Sequence, residues 1–338
     1  MDQTIQNIAV VRLSALGDVC HAMAVVAALQ KRYPKARITW ITGPLEAQLV
    51  RLLPNIDVRV YEKRSGVKGM LALRRSLVTT KFDVLLHMQW SLRASLLTKM
   101  LKATRKIGFH KAYSREKQHW FVNEFGVVPR SPHVLDSFLS LTAKLDVHEV
   151  TLPLPLTLAK QPAALKSPYV VINPSASKAE RNWTLGGYKS VIDWLQEQGI
   201  QVVLTGGPSD SEKRLAQSLL QEGVVNLVGR TSLPQMLRVL ADAECVVSPD
   251  TGPAHMATLV GTTVIGLYAH SNPMRTGPYN DLDKVVSVYE SCAEKEYGKP
   301  VGKLPWASRV HDPNAMTLIA AEQVIAQLQQ VIKPSNLG

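Results

Sequence analysis

At 338 residues, 46% of them hydrophobic and 20% charged, the chain has the composition of a soluble globular protein with more than one core, which excludes the disordered and fibrous classes. Its three cysteines, Cys20, Cys245 and Cys292, are odd in number and far apart, so they offer neither a disulfide framework nor a zinc-ligand spacing and fit a reducing compartment. The net charge of +12 is segregated: residues 1–150 hold 23 basic and 11 acidic side chains, whereas residues 151–338 hold 16 of each.

The first seven residues lack the basic and apolar regions of a signal peptide, and no apolar run approaches the roughly 20 residues of a membrane span, so a cytoplasmic protein is expected. Residues 7–13 (NIAVVRL) form a β-branched run, followed by Ser-Ala-Leu-Gly-Asp and an Ala-rich apolar stretch over 19–32, which predicts strand, loop and helix. The alternation continues with strands over 37–42, 58–61 and 83–88 and helices over 45–53 and 68–79. Periodicity fades and charge rises over 110–133, which predicts irregular chain. Residues 151–168 carry Pro153, Pro155, Pro162 and Pro168 and read as a linker between a domain over 1–150 and another over 169–338. In the second, strands over 169–172, 201–205, 224–228, 245–248 and 263–268 alternate with helices such as 188–198 and 211–221, and 315–332 reads as a closing helix. The pattern predicts an α/β protein of two Rossmann-like, doubly wound domains, with ligands at the carboxyl ends of the strands and a cleft between the domains. A basic half joined to a neutral half suggests that the first domain meets an anionic lipid, membrane surface or nucleic acid, solubility alone being the bland alternative.

The first strand runs into Leu13-Ser14-Ala15-Leu16-Gly17-Asp18, which lacks the Gly-x-Gly-x-x-Gly spacing of a dinucleotide fingerprint and weakens a dehydrogenase reading. Gly17 permits a tight turn, and Asp18 either caps the next helix or serves as a base facing the cleft. The most informative run is Val247-Ser248-Pro249-Asp250-Thr251-Gly252-Pro253-Ala254-His255-Met256-Ala257, where a strand gives way to a helix. Thr251 is placed to cap that helix, Gly252 to let a ligand approach the backbone, and Pro253 to fill the first turn, so the amides beyond it form a diphosphate cradle. Asp250 is a candidate acceptor from ribose or sugar hydroxyls and His255 a candidate donor to a phosphate oxygen, the alternative being an ordinary strand-to-helix turn. The loops Asn173-Pro174-Ser175-Ala176-Ser177-Lys178 and Gly206-Gly207-Pro208 also follow strands, which makes Ser177, Lys178 and Arg181 candidates for phosphate oxygens. Glu212 either caps its helix or binds nucleoside hydroxyls, and Arg275 either meets a phosphate or pairs at the surface. Acidic and imidazole residues are too scattered to suggest a dedicated metal site.

The runs LSALGDVCHAMAVVAAL, SASKAERNW, GGPSDSEKRLA and above all SPDTGPAHMATLVGTTVIGLY resemble family nine of the glycosyltransferases, whose best-known members are ADP-heptose:lipopolysaccharide heptosyltransferases. The resemblance covers nearly the whole chain and is strongest in the Asp-Thr-Gly-x-x-His run. It implies the two-domain glycosyltransferase B fold, with acceptor on the first domain and nucleotide-sugar on the second. It implies an inverting, metal-independent transfer with Asp18 as catalytic base and donor contacts from Ser177, Arg181, Glu212, Thr231, Asp250, Thr251, Gly252 and His255. Acceptor contacts fall on Arg64, Arg93 and Arg115, for which a solvated face is the alternative. No cofactor is implied, since the ADP-sugar is a co-substrate. The implied acceptor is the Kdo region of lipid A, whose anionic groups match the basic first domain and place the protein peripherally on the cytoplasmic face of the inner membrane. Two features depart from the family: Arg181 stands where lysine is usual, and residues 269–278 replace a common Gly-Pro-Thr or Gly-Pro-Ser run, which leaves the sugar open. A same-fold transferase or epimerase for another nucleotide-sugar is the first alternative. A nucleic-acid-binding protein is the second, disfavoured because the basic residues are dispersed and the aromatics, 6% of the chain, do not interleave with them.

Overall fold

The computed structural model describes residues 5–332; residues 1–4, part of the stretch read for a leader, and 333–338, the end of the second predicted domain, lie outside the described residues. The chain divides into two compact units, Met1–Thr157 and Leu158–Gly338. The division falls inside the expected linker, which is not a free tether. Leu154 is buried, and the amide of Thr157 donates to the Leu52 carbonyl at 3.1 Å. Further along, Gln161 Nε2 donates to the Tyr169 hydroxyl at 3.2 Å and the Lys166 amide to Gln201 Oε1 at 2.8 Å. Its two halves thus line the surfaces of their own units, because backbone groups beside prolines still require partners.

The first unit runs β1 (Asn7–Val11), α1 (Leu16–Arg32), β2 (Arg37–Thr42), α2 (Ala47–Val50), β3 (Ile56–Val60), α3 (Gly66–Ser76), β4 (Phe82–His87), α4 (Leu92–Met100), β5 (Ala103–Gly108), β6 (Glu124–Phe125) and α5 (Val134–Thr142). Its sheet is six-stranded, in the order β3-β2-β1-β4-β5-β6, with every pairing parallel. The second unit runs β7 (Tyr169–Ile172), α6 (Leu185–Glu197), β8 (Gln201–Leu204), α7 (Asp210–Ser218), β9 (Val224–Asn226), α8 (Leu233–Ala241), β10 (Cys245–Pro249), α9 (Gly252–Val260), β11 (Thr263–Tyr268), α10 (Pro273–Thr276), β12 (Val286–Ser287), α11 (Tyr289–Tyr297) and α12 (Ala321–Val331). Its order, β12-β11-β10-β7-β8-β9, is also parallel throughout and repeats the first topology. These are the two doubly wound α/β units that the alternation predicts. Central strands such as β1 and β10 are apolar almost throughout, as expected where helices cover both sheet faces.

Three strands escape the sequence pattern for identifiable reasons. β5 carries Arg105 and Lys106 in place of apolar residues, and Arg105 is neutralised by Glu124 of the edge strand β6 at 2.8 Å. β6 and β12 have two residues each, too few for any periodicity. The expected closing helix over 315–332 breaks into a 3-10 turn, Ala315–Leu318, and α12, with extended Ile319 between them accepting at its carbonyl from Trp183 Nε1 at 3.0 Å. All three cysteines are free and buried. No helix among the described residues is long and apolar enough to cross a membrane.

At the end of β4, fully buried His87 meets Ser95 Oγ through Nε2 at 2.9 Å. Burial, with the charge of Arg12 adding to it, lowers the imidazole from its ordinary 6.5 to about 3. Between those values the unfolded chain binds a proton that the folded chain rejects, so stability falls as pH drops through 6.5 and the loss levels off below about 3. Denaturant melts across about pH 7 to 5 should show this slope, and His87→Gln should flatten it by up to about 1.4 kcal/mol per pH unit. An identical slope in the variant would mean that the imidazole titrates as if in water.

Candidate active site

A doubly wound sheet binds ligands where its strand order reverses, outside the carboxyl ends of the two strands that flank the reversal. In the first unit these are β1 and β4. The chain leaves β1 through Arg12 and Leu13 into the Asp18 loop, and leaves β4 through Met88 and Gln89. Arg12 is only 4% exposed and ties the two exits together. Its Nη1 donates to the Met88 carbonyl at 2.6 Å, its Nη2 donates to Asp18 Oδ2, and its guanidinium lies 5.2 Å from the Phe138 ring centroid. Burial disfavours the charged guanidinium, while the Asp18 and Glu46 carboxylates oppose that effect.

The loop itself is fixed from three sides. Gln89 Oε1 accepts from the amides of Leu13 and Ser14 at 2.6 and 3.3 Å, and Lys63 Nζ donates to Ser14 Oγ at 3.0 Å. The Gly43 amide donates to the Leu13 carbonyl at 3.0 Å, and a Cβ at Gly43 would stand 2.7 Å from that oxygen. Asp18 lies in the first turn of α1, but the N-cap is Ala15 and no side chain caps the helix. The capping alternative for Asp18 is therefore overturned: its carboxylate is drawn to Arg12 and remains 36% exposed.

In the second unit the reversal lies between β7 and β10, and the residues beyond those strands converge on Asp250. Arg181 Nη1 donates to the Asp250 carbonyl at 3.1 Å and to its Oδ2 at 3.2 Å, while Arg181 Nη2 donates to Ser177 Oγ at 2.7 Å. The same Oδ2 accepts from Ser271 Oγ at 2.6 Å and Thr276 Oγ1 at 3.4 Å, and His255 Nε2 stands 3.9 Å from Oδ1. Burial alone would push the Asp250 carboxyl up; His255, Ser271 and Arg181 outweigh it and hold the group below its ordinary range. Asp250 is thus a hub that orients a cation and an imidazole rather than a bare acceptor.

Thr251 occupies the N-cap of α9, yet its side chain makes no capping bond. The expected capping role is corrected by its neighbours: the hydroxyl lies 2.8 Å from Ser248 Oγ and receives Asn173 Nδ2 at 3.4 Å. The first-turn amides beyond Gly252 consequently receive no side-chain cap from Thr251.

The remaining candidates divide. Glu212 acts as a local clamp: Oε1 accepts from the Gly207 amide at 2.7 Å and Oε2 from Ser209 Oγ at 2.5 Å, while Ser209 caps α7. Thr231 follows β9, with its hydroxyl buried and without a hydrogen-bond partner among the described residues. Lys178 is exposed and pairs with Glu180 at 3.5 Å, outside the Asp250 cluster. Arg275 stacks on Trp306 at 4.3 Å. Arg64, Arg93 and Arg115 are exposed and follow β3, β4 and β5, so topology places all three at the sheet edge that carries Asp18. Arg115 also lies 5.7 Å from the Trp90 ring centroid. The Asp281-Leu282-Asp283 run has Asp-x-Asp spacing, but Asp281 accepts from the Val264 amide at 3.1 Å and Asp283 pairs with Lys284 at 2.6 Å.

Sequence reasoning missed Arg12, Gln89 and Lys63 around Asp18, and Ser271 and Thr276 around Asp250. One signal was available for Arg12: a charge closing an otherwise apolar strand must find a partner. Chemically, the second unit offers one fixed guanidinium and the α9 amides for an anion, and the first offers an oriented carboxylate able to take a proton.

A family profile described as Glycosyltransferase family 9 (heptosyltransferase) matches residues 70–304. The Lipopolysaccharide core heptosyltransferase OpsX of Haemophilus influenzae is 41% identical over 96% of this chain and 97% of its own. Among solved structures, a glycosyl transferase family 9 protein from Veillonella parvula superposes with a TM-score of 0.78 at 20% identity, covering 98% of both chains. The Escherichia coli heptosyltransferase WaaC with ADP gives 0.76 at 20% identity over 97% of this chain and 100% of its own. These two likenesses show the fold, which is the glycosyltransferase B type.

Asp250→Asn keeps the size of the hub and removes its charge. Arg181 and His255 then lose their anchor, and affinity for ADP, read by calorimetric titration, should fall by about tenfold or more. Unchanged affinity would mean that the cluster orients nothing that touches a diphosphate.

Proposed function

The chain belongs to glycosyltransferase family 9, the heptosyltransferases, and we propose that it transfers a heptose from ADP-heptose to the Kdo and heptose inner core of lipopolysaccharide, with inversion at the anomeric carbon. The observation that carries the donor half is the uncapped start of α9 beside Arg181, which Asp250 and Ser177 hold in place. A helix start with a fixed guanidinium suits a diphosphate, and the 41% identical relative is itself a lipopolysaccharide core heptosyltransferase.

In this reading Arg12 holds Asp18 Oδ2, and Oδ1 takes the proton from an acceptor hydroxyl. The hydroxyl oxygen bonds to the anomeric carbon as that carbon's bond to the β-phosphate oxygen breaks, and ADP leaves with the electron pair. Charge building on the diphosphate is met by the α9 amides, Arg181 and Lys178, with His255 donating to a phosphate oxygen. Thr231 and the Glu212 clamp serve the nucleoside end. Amides and cations supply the stabilisation without a metal ion, and the ADP-sugar is a co-substrate rather than a cofactor. Arg64, Arg93 and Arg115 meet the phosphates and carboxylates of the lipid A and Kdo acceptor, with the protein placed peripherally on the cytoplasmic face of the inner membrane.

Asp18→Ala should lower turnover by about a hundredfold or more while ADP affinity stays within a few-fold, as measured by product formation and by titration. Near-normal turnover would remove Asp18 from the mechanism. Mass spectrometry of lipopolysaccharide from a strain lacking the gene should show a core without the heptose, and an unchanged core would contradict the assignment.

A further inference from the structure

Between Lys63 and Arg115 the sequence holds 13 basic residues and a single acidic one, Asp83. That carboxylate is engaged elsewhere: its Oδ2 accepts from the backbone amides of Gln6 and Asn7 at 2.8 and 2.9 Å, at the start of β1. Within this stretch α3 and α4 bury Met70, Leu73, Ala94 and Leu97 in one apolar cluster with β1 and β4, so both cover the same face of the sheet. Neither helix contains an acidic residue, and Glu116 touches α4 only at its first amide.

Their outward faces are not simply polar. Val67 is 67% exposed and Leu71 37%, one helical turn apart, and Leu92 and Leu96 repeat that spacing on α4 at 53% and 40%. Lys68, Arg74 and Arg75 flank the apolar pair on α3, and Arg93 and Lys99 flank the pair on α4. Exposed aliphatic side chains among cations, with Glu116 at the first amide of α4 the one carboxylate bonded to either helix among the described residues, are the surface chemistry of a helix that lies on an anionic bilayer.

We propose that the outer faces of α3 and α4 form a docking surface for an anionic lipid bilayer, which rests on and sharpens the peripheral placement proposed above. Val67, Leu71, Leu92 and Leu96 enter the acyl boundary while Lys68, Arg74 and Arg75 meet headgroup phosphates. Charge complementarity selects this occupant. A second copy would bring cations against cations, and a nucleic acid would meet the cations but leave Val67, Leu71, Leu92 and Leu96 without an apolar partner. The surface also borders the acceptor side, since α3 begins directly after the turn whose Lys63 reaches Ser14 in the Asp18 loop.

Flotation of the full chain with equimolar phosphatidylglycerol and phosphatidylethanolamine vesicles tests the proposal, with pure phosphatidylcholine vesicles as comparison. The wild type should float with the anionic vesicles only. Lys68→Gln/Arg74→Gln/Arg75→Gln should weaken that binding by on the order of a hundredfold, at about fivefold per cation, and Val67→Ser/Leu71→Ser by about tenfold. Both variants should turn over a deacylated, water-soluble acceptor as the wild type does. Wild-type flotation lost in both variants supports the surface whether or not heptose is transferred. Equal flotation of variants and wild type, equal binding to phosphatidylcholine, or capture by oligonucleotides in preference to vesicles at physiological salt would overturn it while leaving the transferase reading to stand on its own.

Discussion

A parallel sheet covered by helices on both faces has one place for chemistry. Its strands must be apolar on both sides, as β1 and β10 are, so polar function is driven to the carboxyl ends. There the reversal of strand order sends two neighbouring connections in opposite directions and leaves room beside the chain. Each unit meets this constraint with one nearly buried charge whose partners organise the loops around it. In the first unit that charge is Arg12, which joins the exit of β4 to Asp18. In the second it is Asp250, which gathers Arg181, Ser271, Thr276 and His255. A charge at such depth needs partners held in place around it, which is why these clusters hold geometry and not merely net charge.

That fixed geometry connects fold to reaction. The Asp18 loop is held by Gln89, Lys63 and Gly43, so the carboxylate stands in a defined position. In the second unit the turning-in of the Thr251 hydroxyl matters as much as any charged contact, because a capping bond would compete with an anion for the first amides of α9. The two units therefore divide the work proposed for them, proton removal in one and diphosphate binding in the other. The strongly cationic stretch from Lys63 to Arg115 belongs entirely to the first.

Much of this was legible in the sequence, for physical reasons. Alternating β-branched runs and amphipathic stretches announce a doubly wound architecture, and a strand running into Asp-Thr-Gly-Pro announces the turn from β10 into α9. What the sequence hides are features that depend on distant chain. β5 is masked by Arg105 and Lys106, whose fit becomes visible only with Glu124 opposite Arg105. Thr251 sits where caps sit, and only the fold reveals Ser248 and Asn173 as its partners. Glu212 allowed two readings, and only the fold shows Gly207 and Ser209 each donating to one of its oxygens. Arg12 and Asp18 are six positions apart, yet their pairing depends on the Met88 carbonyl at the exit of another strand.

The transfer proposed for this chain moves a heptose from ADP-heptose to the lipopolysaccharide inner core. It is tested most directly by incubating the purified protein with ADP-heptose and a heptose-free Kdo–lipid A acceptor and following both products by mass spectrometry. An acceptor heavier by one heptose residue and an equal amount of ADP are expected, with the new linkage inverted when read by NMR. An acceptor of unchanged mass, or release of ADP with free heptose alone, would contradict it.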